Sequence, residues 1–262
     1  MGRSIFVTSF KGGVGKTTVS GNLAYALAKL GKSVLVIDGD FGMRCMDIVL
    51  GLENNGVFDA YDVITGRCSV ESAMITDPDN VNLSFLPAPM GYNGARIDED
   101  AVKKLFLGLR KKFDYVIVDS AADVTPFYLA FAAACDDAIV VSLHQATAIR
   151  AAEKTAMKLS SLGFCNLRLV INGFRLEAAK KGDLPKISDI IGRVSVRLLG
   201  VVPYDDALPI DQDRGIVAYK ENRRHREVYE CAVMNIAKRI TGDNVALLDG
   251  IYKKEKRQRD LY

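Results

Sequence analysis

Phe10-Lys11-Gly12-Gly13-Val14-Gly15-Lys16-Thr17-Thr18 decides how the rest of this chain is read. It follows an apolar run, Ile5-Phe6-Val7, and precedes a helical pattern in which Val19, Leu23, Ala26, Leu27 and Leu30 recur on one face. Strand, glycine-rich loop and helix in succession are the context in which a phosphate-loop match carries structural meaning. The glycines let backbone N–H groups turn inward around phosphate oxygens, and the helix N-terminus adds partial positive charge. Lys16 supplies a point charge to the β- and γ-phosphates, and the Thr17 hydroxyl suits Mg2+. Phe10 stands where the strict pattern has glycine, five residues before Gly15, and its side chain requires a negative φ there.

Working outward, residues 33–37 form an apolar run of the kind found in strands buried on both faces. The run ends at Asp38-Gly39-Asp40, which puts two carboxylates where open α/β sheets bind their ligands. Tyr115-Val116-Ile117-Val118-Asp119 repeats the pattern, an apolar strand ending in an acid well after a phosphate loop. That is the Walker-B arrangement, in which Asp119 contacts Mg2+ or its water shell.

The intervening segments alternate in type. Helical spacing is expected over residues 46–52, 57–64, 70–75, 101–111, 148–162 and 228–240, with further strands over 83–86, 138–141, 167–171 and 198–202. Gly31, Gly163 and Gly242 fall just past helix ends. The alternation predicts an α/β fold, a mostly parallel twisted sheet with helices on both faces. At 262 residues, 49% of them apolar, the chain suits one large domain with a sizeable core.

Charge and cysteine usage narrow the function classes. The net charge of +3 equals that of residues 253–262 alone, so the total does not argue for nucleic-acid binding. Five scattered cysteines without a C-x-x-C pair, and two histidines far apart, speak for free thiols rather than disulfides or a zinc site. No stretch reads as a signal peptide or a membrane span, and a cytoplasmic protein is expected.

Lys11-Gly12-Gly13-Val14-Gly15-Lys16-Thr17-Thr18 resembles the deviant Walker A motif of the MinD/ParA ATPases, in which a second lysine precedes the glycines. Val36-Ile37-Asp38-Gly39-Asp40, Gly42-Met43-Arg44, Met46-Asp47-Ile48-Val49-Leu50-Gly51-Leu52-Glu53, residues 114–120 and Gly200-Val201-Val202-Pro203 resemble the MinD branch in particular. The likeness runs to about Thr241, which sets an ATPase domain at residues 1–243 and a basic tail at 244–262.

The resemblance implies a P-loop NTPase fold, ATP and Mg2+ as cofactors, and a homodimer closing over two nucleotides. It implies that Lys11 reaches the partner's phosphates, that Lys16, Thr17 and the rest of the loop (Gly12, Gly13, Val14, Gly15, Thr18) hold the nucleotide, and that Asp40 orients the attacking water. Asp38 and Asp119 would support the metal, and Asn172 matches the position that reads the adenine edge; as residues alone, Asn172-Gly173 equally suits a turn at a strand end. Cell-division site placement is the implied task, with regulators of MinC or MinE type as possible partners. Phe10, Cys45, Ala121-Ala122-Asp123 and Leu143-His144-Gln145 depart from the family's usual residues.

In the MinD branch a C-terminal amphipathic helix binds the inner face of the membrane. Here Val245, Leu248 and Ile251-Tyr252 share helical spacing, and Lys253, Lys254, Lys256, Arg257 and Arg259 follow, a short apolar face with a basic flank suited to anionic lipid. Gly250 and Asp249 count against that helix, and a solvated charged end is the other reading. Two further functions stay open: a ParA-type DNA-binding dimer using Arg223-Arg224-His225-Arg226, and a metallocofactor or metabolic enzyme on the same scaffold.

Overall fold

A computed structural model describes residues 1–53, 56–91, 97–217 and 227–251. Arg223-Arg224-His225-Arg226, Tyr252 and the basic run from Lys253 onward lie outside those residues. In chain order the elements are β1 (Arg3–Thr8), α1 (Lys16–Lys29), β2 (Val34–Gly39), α2 (Met46–Leu50), α3 (Ala60–Ile64), α4 (Val70–Ala73), β3 (Ile75–Asp77), β4 (Asn80–Leu86) and α5 (Glu99–Lys112). There follow β5 (Tyr115–Ser120), α6 (Pro126–Ala134), β6 (Asp137–Ser142), α7 (Ala146–Ser161), β7 (Leu167–Phe174), α8 (Leu176–Lys181), α9 (Ile187–Val194), β8 (Arg197–Pro203), α10 (Leu208–Gln212) and α11 (Glu227–Thr241).

Among the described residues the strands form one sheet of eight in the order β3-β4-β2-β5-β1-β6-β7-β8. Every pairing is parallel except β3 with β4. Side-chain alternation sends Phe6, Leu35, Ile37, Val116, Val118 and Val140 into one core beneath α5, α6 and α7. Ile5, Val7, Val36, Ile117, Ile139 and Val141 enter a second core beneath α1 and α11. Helices on both faces are thus what the continuous apolar strands require. β1 lies centrally, with β5 on one side and β6 on the other, so the strand order reverses there. A crevice at the carboxyl ends of the strands is the ligand position such a reversal creates.

Local chemistry sets the helix ends. Gly31 takes φ +76 just past α1, the left-handed conformation that glycine adopts without a Cβ penalty. Asp98 caps α5 by accepting from the backbone N–H groups of Asp100 and Ala101, and Arg110, Lys111 and Lys112 occupy its last turn. The apolar stretch around residues 124–135 is α6, capped by Thr125 with Pro126 in its first turn.

Several expectations are corrected. The helix expected over 70–75 stops at Ala73, because Met74 is extended and Ile75 pairs with Phe85 across the β3–β4 hairpin. That hairpin turns at Asp77, whose carboxylate accepts from the Asp79 N–H at 2.8 Å. Residues 57–59 are not helical; α3 begins at Ala60 behind an Asp59–Asp62 capping box. β7 does not end at Ile171 but continues through Asn172 and Gly173 to Phe174. Residues 245–251 form no amphipathic helix. They turn back on the body, and Leu248 and Ile251 are 6% and 4% exposed within the core. Two of the side chains expected to form an apolar membrane face are therefore covered by the protein itself. No helix among the described residues is long and apolar enough to cross a membrane.

Candidate functional site

The loop between β1 and α1 runs over the carboxyl end of the central strand. Gly13 and Gly15 take φ +73 and +88, conformations that side chains rarely adopt. A Cβ built on Gly12 or Gly13 meets nothing within 4 Å, so space is open above the loop. Gly15 differs, since a Cβ there would sit 2.2 Å from Asn172 Nδ2.

Phe10 leaves this space free. It keeps φ negative, its ring lies 6.0 Å from that of Tyr128, and its N–H donates to Thr155 Oγ1 at 3.0 Å. Tyr128 in turn packs edge-on against Phe6 at 4.9 Å and accepts from Thr8 Oγ1 at 3.1 Å. Burial pushes its phenol up to about 12. The aromatic residue at the loop's first position thus belongs to the core under α6 and α7.

Lys16 opens α1 and is buried, at 9% exposure. Burial lowers its pKa, while the charges of Asp119, Asp40 and Asp123 pull it back up. Asp123 belongs to the segment that departs from the family's usual residues, and here it adds a carboxylate to the lysine's surroundings. Lys11 is half-buried, and among the described residues it forms no hydrogen bond or ion pair.

Asp38 and Asp119 face each other in register on β2 and β5. Both are buried, at 0% and 2% exposure. Asp38 accepts from the N–H groups of Asp40 and Met46 at 3.0 and 3.1 Å. Burial raises its pKa to about 7, and the neighbouring Asp119 charge adds to the effect. Asp119 accepts from Ser20 Oγ at 2.9 Å and from the Thr17 hydroxyl. These bonds and Lys16 partly offset its burial, which still raises its pKa to about 6. Asp40 is less buried, and its Oδ1 accepts from the Gly42 and Met43 N–H groups at 3.2 Å each. Two carboxylates stacked at strand ends beside a buried lysine and two hydroxyls make a donor set that gains from a divalent cation.

Neighbouring elements brace the loop. Asn172 Nδ2 donates to the Val14 carbonyl at 2.9 Å. Thr18 Oγ1 donates to Gln212 Oε1 at 3.0 Å and so ties α1 to α10. Arg44, at φ +45, forms an ion pair with the buried Asp47 at 2.8 Å and holds the chain after Asp40. In the Leu143-His144-Gln145 segment, His144 Nε2 accepts from the Arg175 N–H at 3.2 Å and its ring packs on Phe174. Arg175 lies over the Tyr204 ring at 3.8 Å.

Lys11, Lys16, Thr17, Asp38, Asp40 and Asp119 therefore converge at one end of the sheet, and Asn172 joins them through Val14. Ser20, Thr155 and Gln212 are missing from the sequence-based set. Ser20 could have been found, since it lies one turn after Thr17 on the same face of α1. Nothing in the sequence pairs Thr155 or Gln212 with the loop. Among the described residues no three His, Cys, Asp or Glu side chains form a metal cluster of their own.

Comparison with known proteins agrees with this geometry. Residues 5–218 match the family described as the CobQ/CobB/MinD/ParA nucleotide binding domain. The septum site-determining protein MinD of Synechocystis sp. is 35% identical over 249 residues, covering 95% of this chain and 93% of that one. MinD of Bacillus subtilis is 36% identical over 249 residues, covering 94% and 92%. Among solved structures, the MinC:MinD cell division protein complex of Aquifex aeolicus superposes with a TM-score of 0.85 at 32% identity, covering 94% of this chain and 98% of that one. MinD of Pyrococcus horikoshii, complexed with Mg-ADP, gives 0.80 at 25% identity, covering 97% and 100%.

Proposed function

This chain belongs to the MinD/ParA family of P-loop ATPases, and we propose that it works as a MinD-type switch in division-site placement, pairing over ATP and separating on hydrolysis. The supporting observation is an open phosphate loop flanked by two lysines of unlike environment. Lys16 is buried among carboxylates, while Lys11 has no described partner within its own subunit.

The roles follow from position. The loop's N–H groups and Lys16 bind the phosphates of ATP. Thr17 and Asp119 would hold Mg2+, with Asp38 supporting its water shell; the bound ion supplies positive charge against the β- and γ-phosphate oxygens. Asp40 orients the attacking water. Lys11 crosses to the partner subunit's nucleotide and stabilises charge that develops as the γ-phosphoryl group leaves, as an arginine finger does. Asn172 holds the loop through Val14 and, by its position, contacts the adenine edge.

Partners follow from the same reading. The Aquifex relative is seen with MinC, and a MinC-type regulator is proposed for the ATP-bound pair. Membrane attachment rests on the basic run from Lys253 onward, doubled by dimerisation.

Gel filtration with Mg-ATP tests the central claim on the Asp40→Ala variant. A stable dimer that reverts to monomer in ADP is the expected result. A monomer that persists with ATP tightly bound would refute the shared-site mechanism.

A further inference from the structure

A second cavity, of about 460 Å3, lies at the opposite end of the sheet from the phosphate loop. It opens at the N-terminal ends of β1, β6, β7 and β8, roofed by the end of α11 and residues 243–247. Arg3, Arg168, Arg197 and Arg239 line it, against the carboxylates of Asp137 and Asp243.

Two of the four arginines have evident structural tasks. Arg3 pairs with Asp137 at 2.6 Å. Arg239 donates to the Val245 carbonyl at 2.9 Å and to the Leu199 carbonyl at 2.5 Å, which fastens the roof to β8.

Arg168 and Arg197 differ. They stand directly opposite each other in the β7–β8 register. Arg168 Nε donates to Asn166 Oδ1 at 3.0 Å, yet among the described residues neither arginine has an acidic partner. Alternation along the strands puts both on the face of Val170 and Leu199, toward the cavity. Like charges placed directly across a ladder destabilise a sheet. Just beyond the pair the register shifts. Such irregularities re-aim side chains next to binding sites.

We propose that this cavity binds a phosphate group, carried by a small organic phosphate or by a lipid headgroup, between the guanidinium groups of Arg168 and Arg197. Two planar forks match phosphate oxygens bidentately, and the bound anion removes their mutual repulsion. Ile5, Ile139 and Leu199 are buried at its floor, while Arg168 is partly buried and Arg197 exposed. The volume falls in the range of small-molecule sites, about 300–1,000 Å3.

The test uses the full chain with its phosphate loop saturated by Mg2+ and a non-hydrolysable ATP analogue, titrated with inorganic phosphate and followed by melting temperature. A saturable rise is expected, with affinity at least about tenfold weaker in the Arg168→Gln, Arg197→Gln double variant. Without phosphate the double variant melts no lower than the unaltered chain, since a repulsive pair has been removed, and its ATPase activity is unchanged. No saturable response in the unaltered chain overturns the proposal, as does a full response in the double variant. Sedimentation with phosphatidylglycerol vesicles separates the two sources. Binding lost in the double variant and competed by phosphate assigns a lipid headgroup; vesicle binding that is unaffected while phosphate binding is lost assigns a soluble phosphate.

Discussion

Asn172 reaches across from β7 to hold the phosphate loop at Val14, its Nδ2 2.9 Å from the Val14 carbonyl. The same side chain closes off the space beside Gly15, where a Cβ would come within 2.2 Å. The loop's conformation is thus set partly by a strand that carries no phosphate-binding residue. Asn172→Ala leaves a buried carbonyl without its partner, and a loss of about 1–3 kcal/mol in unfolding free energy is expected by urea denaturation. Nucleotide affinity falls about tenfold by calorimetry, as a loop costing about 1.4 kcal/mol more to order requires. Unchanged affinity would mean that the loop holds its shape without β7.

Phe10 gives a contrasting expectation. Its ring packs on Tyr128 rather than over the loop, so Phe10→Gly, which restores the strict motif, costs stability and gains no binding. A loss of about 1–3 kcal/mol is expected, below the cost of emptying a fully buried phenylalanine site. Nucleotide affinity stays within about threefold, less than 1 kcal/mol. A large gain in affinity would show that the ring obstructs the cradle.

Lys11→Ala separates the two lysines. The folded subunit loses no described contact, so its melting temperature is unchanged. Steady-state phosphate release falls by about 10²–10³-fold, the cost of one donor aimed at developing charge, while nucleotide binding by the single subunit persists. ATPase activity at the unaltered rate would remove the role across the dimer.

The legibility of this chain follows from how each part is buried. The strands around Val36, Ile117 and Val140 read clearly because burial on both faces leaves continuous apolar runs. Lys16, Asp38 and Asp119 were legible because each sits at the end of such a strand or the start of a helix. The Ile75–Asp77 strand did not stand out. It is three residues long and directly follows the helical turn of α4. Asn172 was ambiguous because Asn-Gly favours a turn locally, yet pairing with β8 carries the strand three residues further. At Leu248 and Ile251 the spacing is real, but periodicity says only that a face is apolar. Whether that face meets lipid or the protein's own core depends on tertiary contacts.

His144, in the segment that follows β6, provides a pH readout. Burial and the charge of Arg175 lower its pKa below the ordinary histidine value. The unfolded chain therefore takes up the proton first as pH falls below about 6.5, and the folded state loses stability from there down toward the lowered folded value. Urea unfolding at pH 7.5, 6.5 and 5.5 should show this decline. In His144→Gln, which keeps an acceptor for the Arg175 N–H, the decline between pH 6.5 and 5.5 becomes shallower. An identical slope in both proteins would assign the acid sensitivity to other groups.

Leu248 and Ile251 pin the chain to its own body just before its last eleven residues set out. Their point of departure is thereby fixed beside the first half of α11, where Cys231 Sγ and Asn235 Nδ2 donate to the Asp249 carbonyl. Two molecules joined by a two-fold axis would hold their departing ends at a set separation and in a set direction. Whatever those ends grasp then acts as a ruler for the orientation of the pair, and slack at this root would blur that orientation without weakening the grip.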